Sequence, residues 1–157
     1  MKASKKTARI VGALFLISNA TFILGAIILI EPVLNAPDYL TLVSENRTQV
    51  ISGVLLEMTN AVAYLSIAVL LFPILRQRFA SLALAYVGFR LIEFVMQIAS
   101  ALGPLLLLSL SEEFVGAGSP ETISFQTLGA LLVAERYWAF QMLFVTFGLG
   151  ALLFYYM

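Results

Sequence analysis

Six polar side chains recur at one spacing inside two otherwise apolar stretches of this sequence. Glu57, Asn60 and Tyr64 fall at i, i+3 and i+7, and Arg90, Glu93 and Gln97 repeat the interval. On helices these intervals set each trio along one face. A carboxylate facing an arginine in an apolar medium has three uses: it can load and release a proton, bind a charged or zwitterionic solute, or clamp two helices in register with no ligand at all. Arg90 and Glu93 can neutralise each other across three residues. That leaves Glu57 as the unpaired carboxylate, unless Arg90 is shared or Glu57 is protonated. The stripes read first as a buried polar seam in a structural or assembly subunit. The alternative is a small-solute or proton-coupled carrier, or ligand-binding membrane protein, using Glu57, Arg90 and Glu93.

The rest of the composition removes most other chemistry. Histidine and cysteine are absent, which excludes disulfides, thiol nucleophiles and imidazole bases and takes away the usual zinc and haem ligands. No hydroxyl stands beside an evident base, so no residue is assigned a catalytic role and the protein is expected not to be an enzyme. No metal-ligating residue, cofactor-binding residue or cofactor is assigned either. Nine basic residues balance nine acidic ones, which gives no electrostatic footprint for nucleic acid.

The elements that must hold the stripes follow from hydropathy. Of 157 residues 61% are hydrophobic and 11% charged, whereas a soluble domain needs about a quarter charged to cover itself. A helix crossing a bilayer needs roughly 20 apolar residues. Four runs qualify: about 10–30, ending at Glu31-Pro32 where proline disfavours further helix; about 50–75, stopping at Arg76-Gln77-Arg78; about 79–110, with Gly103-Pro104 as a kink or break; and about 137–157. The expected fold is an all-α, polytopic transmembrane bundle forming one membrane domain over 1–157, with outer loops at about 31–49 and 111–136. The lipid bilayer is its first partner.

Segment 122–134 has three readings: an outer-surface helix, a re-entrant turn, or the start of a longer fourth span that buries Glu135-Arg136. The surface or re-entrant reading is preferred, since a re-entrant segment needs only protein cover. A cleaved signal peptide is a rival for the first run, because Lys2, Lys5, Lys6 and Arg9 precede it, but Thr21 to Ile30 keeps that run long enough to span.

Those four basic residues, with Arg76 and Arg78 between spans two and three, put both termini in the cytoplasm by the positive-inside rule. Tyr137 and Trp138 then mark the outer interface and Tyr155 and Tyr156 the inner one, or serve as ordinary apolar filling. Counting about 1.5 Å per residue from the cytoplasmic ends puts Tyr64 and Arg90 about 15 Å deep, Asn60 and Glu93 about 20 Å, and Glu57 and Gln97 about 25 Å. The stripes match in depth, so spans two and three are expected to face each other through them, with Arg90 within reach of Glu57. An arginine at a helix centre costs about 2.5 to 3.5 kcal/mol on the insertion scale, which the apolar remainder of span three offsets.

Weaker signals surround the stripes. Asn19 joins the cluster or bonds its own helix. Thr21/Gly25 and Ala99/Gly103 have the spacing of close helix contacts. Asn46-Arg47-Thr48 matches a glycosylation sequon. No fixed-period repeat is convincing. The Gly148 and Gly150 face of span four lacks an evident partner, so a homo-oligomer or larger membrane complex is expected.

Several segments resemble a known family. Gly53-Val-Leu-Leu-Glu57-Met-Thr-Asn60-Ala61, Ile67-Ala-Val-Leu-Leu-Phe-Pro73, and Leu82-Ala-Leu-Ala-Tyr86-Val-Gly-Phe-Arg90-Leu-Ile-Glu93 resemble domain-of-unknown-function family 4386, a bacterial multi-pass membrane family. The opening Arg9-Ile-Val-Gly12 and closing Gly148-Leu-Gly-Ala-Leu-Leu-Phe-Tyr-Tyr156 stretches resemble it too. The resemblance implies a bacterial cytoplasmic (inner) membrane protein and gives Glu57, Asn60, Arg90 and Glu93 the look of signature positions, without a substrate. The family pattern continues into further spans after the Phe-Tyr-Tyr stretch. An end at Met157 therefore reads as a truncated chain or a short variant completed by a partner.

Overall fold

The computed structural model describes residues 5–117 and 122–157, and these form helices with no strand among them. Among the described residues, four helices are long and apolar enough to cross a bilayer: α1 Lys5–Leu34, α3 Arg47–Leu75, α4 Ala80–Gly116 and α5, whose apolar part is Ile123–Tyr156. A short α2, Tyr39–Glu45, lies between α1 and α3. The chain is an all-helical, multi-pass integral membrane protein.

Three local expectations need correction. Glu31-Pro32 does not end the first helix. Over Ile23–Ile30 the turns widen to π geometry, the Glu31 N–H bonds to the Ala26 carbonyl, and the helix resumes to Leu34. Gln49 Nε2 donates to the Leu29 carbonyl at 2.8 Å in the same region. A widened turn and a borrowed side-chain donor let the helix pass a residue with no N–H.

Gly103-Pro104 does not break α4, which is continuous for 37 residues. The largest departure is at 122–134, where the sequence favours a surface or re-entrant segment. It is the beginning of a single 35-residue helix, Thr122–Tyr156, and Arg136 is buried within it. The expected loop of 111–136 is thereby shortened from both sides. Gly118 to Glu121 lie outside the described residues.

Small residues set the helix crossings. A Cβ at Gly25 would come within 2.8 Å of the Gly53 carbonyl oxygen, and one at Gly103 within 3.0 Å of the Leu132 carbonyl oxygen. Only glycine lets α1 meet α3, and α4 meet α5, at those backbone distances. Gly150 also faces α4, its notional Cβ 3.4 Å from Phe89, so that side of α5 has a partner within the chain. Gly148 has open space instead.

An apolar core fills the end of the bundle nearest α2, where Ile30, Val43, Val50 and Leu107 are fully buried. Ser111 donates to the Leu40 carbonyl and Arg47 pairs with Glu112 at this end. Tyr39 hydrogen-bonds the Gln126 carbonyl at 3.3 Å, and its burial pushes its hydroxyl above the ordinary tyrosine value. The other end is packed differently. Helix α3 lies against α4, α4 against α5 along much of its length, and α1 against α3, but α1 and α5 scarcely touch. No residue of Lys5–Phe22 is buried.

Tyr137, Trp138, Tyr155 and Tyr156 all point outward rather than into the core. Tyr137 and Tyr156 lie about 28 Å apart along α5, close to one hydrocarbon thickness.

Candidate functional site

All six residues of the two stripes are buried on facing sides of α3 and α4. Gln97 Nε2 donates to Glu57 Oε2 across the seam at 3.3 Å, and Arg90 pairs with Glu93 at 2.7 Å on its own helix. The expected approach of Arg90 to Glu57 does not occur. Glu57 is bound by Arg136 of α5, Nη2 to Oε1 at 2.6 Å and Nη1 to Oε2 at 3.3 Å, a two-pronged contact. A residue that hydropathy assigns to an outer loop is therefore the counter-ion of the carboxylate left without a partner.

Arg136 is held from every side. Its Nη1 also donates to the Ser100 carbonyl at 3.2 Å, its Nε reaches Glu31 at 3.4 Å, and its guanidinium lies 4.7 Å from the Phe140 ring centre. The Ser100 carbonyl is the one that the missing N–H of Pro104, four residues on, would leave unbonded in a regular helix. Arg136 thus covers the defect that proline makes in α4 while neutralising Glu57 on α3. Glu31 is steadied by Asn35 Nδ2 at 2.8 Å. The group has few spare hydrogen-bonding positions, and a bidentate guanidinium–carboxylate pair is the stiff arrangement that fixes helix register.

The other half of the seam is built differently. Tyr64, Arg90, Glu93 and Gln97 line a cavity of about 270 Å³, together with Asn60, with Ser18 and Asn19 of α1, and with the rings of Phe15, Phe22, Tyr86, Phe144 and Phe147. Ser18 donates to Asn60 Oδ1 at 2.6 Å. Asn19 lines the cavity while donating to the Phe15 carbonyl of its own helix at 2.8 Å. Arg90 lies 5.4 Å from the Tyr86 ring centre and 5.0 Å from that of Phe147.

Among the described residues, four buried side-chain polar atoms lack any hydrogen-bond partner, and three belong to this cavity's lining: Tyr64 Oη, Arg90 Nε and Gln97 Oε1. Buried polar groups are paired in the great majority of cases, and each that is not costs about 1–3 kcal/mol. These three residues border one space, and small side-chain rotations would turn two donors and an acceptor toward whatever enters it, since Tyr64 and Arg90 can donate and Gln97 can accept.

A family model described as "Domain of unknown function (DUF4386)" matches residues 10–157. The chain belongs to the DUF4386 family. No curated protein and no solved structure matches it. In this DUF4386 protein the signature-like positions divide between two arrangements. Glu57 is in the clamp, whereas Asn60, Arg90 and Glu93 are at the cavity, and Gln97 touches both.

The preferred sequence reading leaves Arg136 in an outer loop, the reading with a longer fourth span buries it, and neither pairs it with Glu57. The signal available was a charge count: one carboxylate in span two lacked a cation, and Glu135-Arg136 was the remaining charged pair embedded between apolar stretches.

Proposed function

We propose that this DUF4386 protein is a membrane-embedded binder of a small molecule bearing hydrogen-bonding groups, held in the cavity between α1, α3, α4 and α5. The single observation behind the reading is that three residues lining one cavity, Tyr64, Arg90 and Gln97, each hold a buried polar atom with no hydrogen-bond partner. The Glu57–Arg136 group, which holds helices together, leaves one such atom, Ser100 Oγ, against three around the cavity. Arg90 and Glu93 cancel in charge, so a neutral or zwitterionic ligand is favoured over an ion. Ser18, the aliphatic hydroxyl in the cavity lining, donates to the Asn60 amide oxygen rather than to a base, which supports binding over catalysis.

A second reading, an assembly subunit, draws on the clamp and on the outward face of α5, where Val145 and Leu152 are more than half exposed beside open space at Gly148. Localisation in the bacterial cytoplasmic membrane with both ends inside rests on the family resemblance and on Lys5, Lys6, Arg9, Arg76 and Arg78 sharing one end of the bundle.

The test works with an unidentified ligand. Wild type, Tyr64→Phe and Arg90→Lys are purified from their own membranes and their small-molecule extracts compared by mass spectrometry. The reading expects a compound retained by wild type and depleted from both variants, with helical content and melting behaviour preserved. Identical extracts from all three would count against it.

A further inference from the structure

The polar cavity does not lie at the end of a channel; it opens sideways. Three of its aromatic walls, Phe15, Phe144 and Phe147, are 45%, 50% and 45% exposed on the flank of the bundle. Phe22 and Phe144 also line a second, larger hollow of about 760 Å³ that follows the seam between α1 and α5 toward Glu31 and Tyr39. This is the seam at which the two helices scarcely touch. It is bridged by the Phe22–Phe140 ring contact at 6.3 Å and the weak Arg136–Glu31 pair at 3.4 Å. A flank of membrane-spanning helices faces acyl chains, so a cleft there is supplied from the bilayer and not from water.

The lining describes the molecule that would come this way. Rings of Phe and Tyr form one side, and flat apolar walls suit a flat apolar body. The free N–H of Arg90 and O–H of Tyr64 need acceptors, while Gln97 Oε1 accepts from a donor. The net charge of the lining is zero with Arg90 and Glu93 paired, so a lone charged head would enter without a counter-ion.

We propose that the cavity is loaded from the lipid through the α1/α5 cleft, and that its occupant is a neutral, membrane-dissolved ring compound bearing carbonyl or hydroxyl groups, of the quinone and quinol kind. The inference rests on the reading of the cavity as a ligand site and adds the route and the chemical class. The hydroxyl oxygens of a quinol would accept from Arg90 and Tyr64 while one of its O–H groups donates to Gln97, a quinone's carbonyls would accept from Arg90 and Tyr64 alone, and an apolar tail would lie along the larger hollow. Phe22, common to both spaces and in contact with Phe140, stands where such a molecule would pass.

The chain has no cysteine, so a Phe22→Cys/Phe140→Cys pair can be bridged with a short bis-thiosulfonate without side reactions. The probe is a benzoquinone with a short isoprenoid tail, supplied oxidised or reduced, and its binding is read as a rise in melting temperature. Wild type is expected to show the rise, and Tyr64→Phe and Arg90→Lys to lose much of it. The unbridged pair is the reference for the route. Bridging it before the probe is added should slow the response, since only the flank at Phe15 and Phe147 then stays open, and bridging it afterwards should slow loss of the probe on washing.

A bridged protein that exchanges the probe as freely as the unbridged one overturns the cleft as the route and leaves the cavity reading intact. A rise produced by glycine, a water-soluble zwitterion, in a Tyr64-dependent way and not by the quinone overturns the chemical class alone. A rise from neither overturns the inference, and the ligand site itself is then judged by the extraction experiment, which depends on neither probe.

Discussion

Arg136 on α5 grips Glu57 on α3 with two nitrogens, at 2.6 and 3.3 Å, while both side chains are almost wholly buried. One pair thereby joins two helices that are not consecutive in the chain, and the same guanidinium bonds the Ser100 carbonyl on α4 between them. Removing the cation should leave a buried carboxylate and cost about 3–5 kcal/mol, whereas replacing both partners with apolar residues should cost much less. Melting temperatures of Arg136→Met, Glu57→Leu and the double variant measure this. The double variant is expected to be more stable than Arg136→Met; strict additivity of the two single effects would refute the coupling.

The glycines at the helix crossings give a second, independent check on the packing. Gly25→Ala pushes a methyl to 2.8 Å from the Gly53 carbonyl oxygen, and Gly103→Ala pushes one against the movable Glu135 carboxylate and to 3.0 Å from the Leu132 carbonyl oxygen; each should destabilise by about 1–3 kcal/mol, Gly25→Ala the more. At Gly88 an added Cβ meets nothing within 4 Å. Gly88→Ala should therefore be neutral or gain up to about 1 kcal/mol from helix propensity alone. Thermal unfolding of the three variants side by side reads the difference, and a loss at Gly88 matching those at Gly25 and Gly103 would argue against these crossings.

Much of the architecture was legible from hydropathy, and the reasons for the misses are specific. Four apolar runs gave four long helices, and the i, i+3, i+7 spacing put Glu57, Asn60, Tyr64, Arg90, Glu93 and Gln97 on buried, facing sides. Local rules failed where a distant side chain repaired a local defect. Pro32 reads as a stop and Pro104 as a kink or break, but Gln49 bonds a carbonyl in the widened turns before Pro32, and Arg136 bonds the carbonyl that Pro104 frees. Arg136 itself read as the edge of a loop because a charge in isolation belongs in water. Its cost is offset by Glu57 and Ser100, both far from it in sequence, and by the Phe140 ring one turn along its own helix. The sparse α1/α5 seam had no sequence signal, since an apolar face turned to lipid has the same composition as one turned to a helix.

Topology is open to direct labelling. Asp38 and Gln77 are both exposed and lie at opposite ends of the bundle. In intact cells an impermeant thiol reagent should modify Asp38→Cys and spare Gln77→Cys until the membrane is opened. The reverse pattern would invert the proposed orientation.

Assembly makes a further prediction. We propose a second copy on the outward face of α5 around Gly148, where an added Cβ would meet nothing within 4 Å and Val145 and Leu152 are more than half exposed. Mass measurement in mild detergent should find more than one chain per particle, and Gly148→Phe should shift the population toward single chains. Single chains in the wild type would remove this proposal without touching the cavity.

The central claim is that Tyr64, Arg90 and Gln97 surround a ligand. The most direct measurement is an experimental density map of the protein purified from its native membrane, at a resolution that shows side chains. The account expects non-protein density in the cavity within hydrogen-bonding distance of Tyr64 Oη, Arg90 Nε and Gln97 Oε1. A map in which those three atoms turn to bond one another or ordered water alone, with the cavity closed, would contradict it.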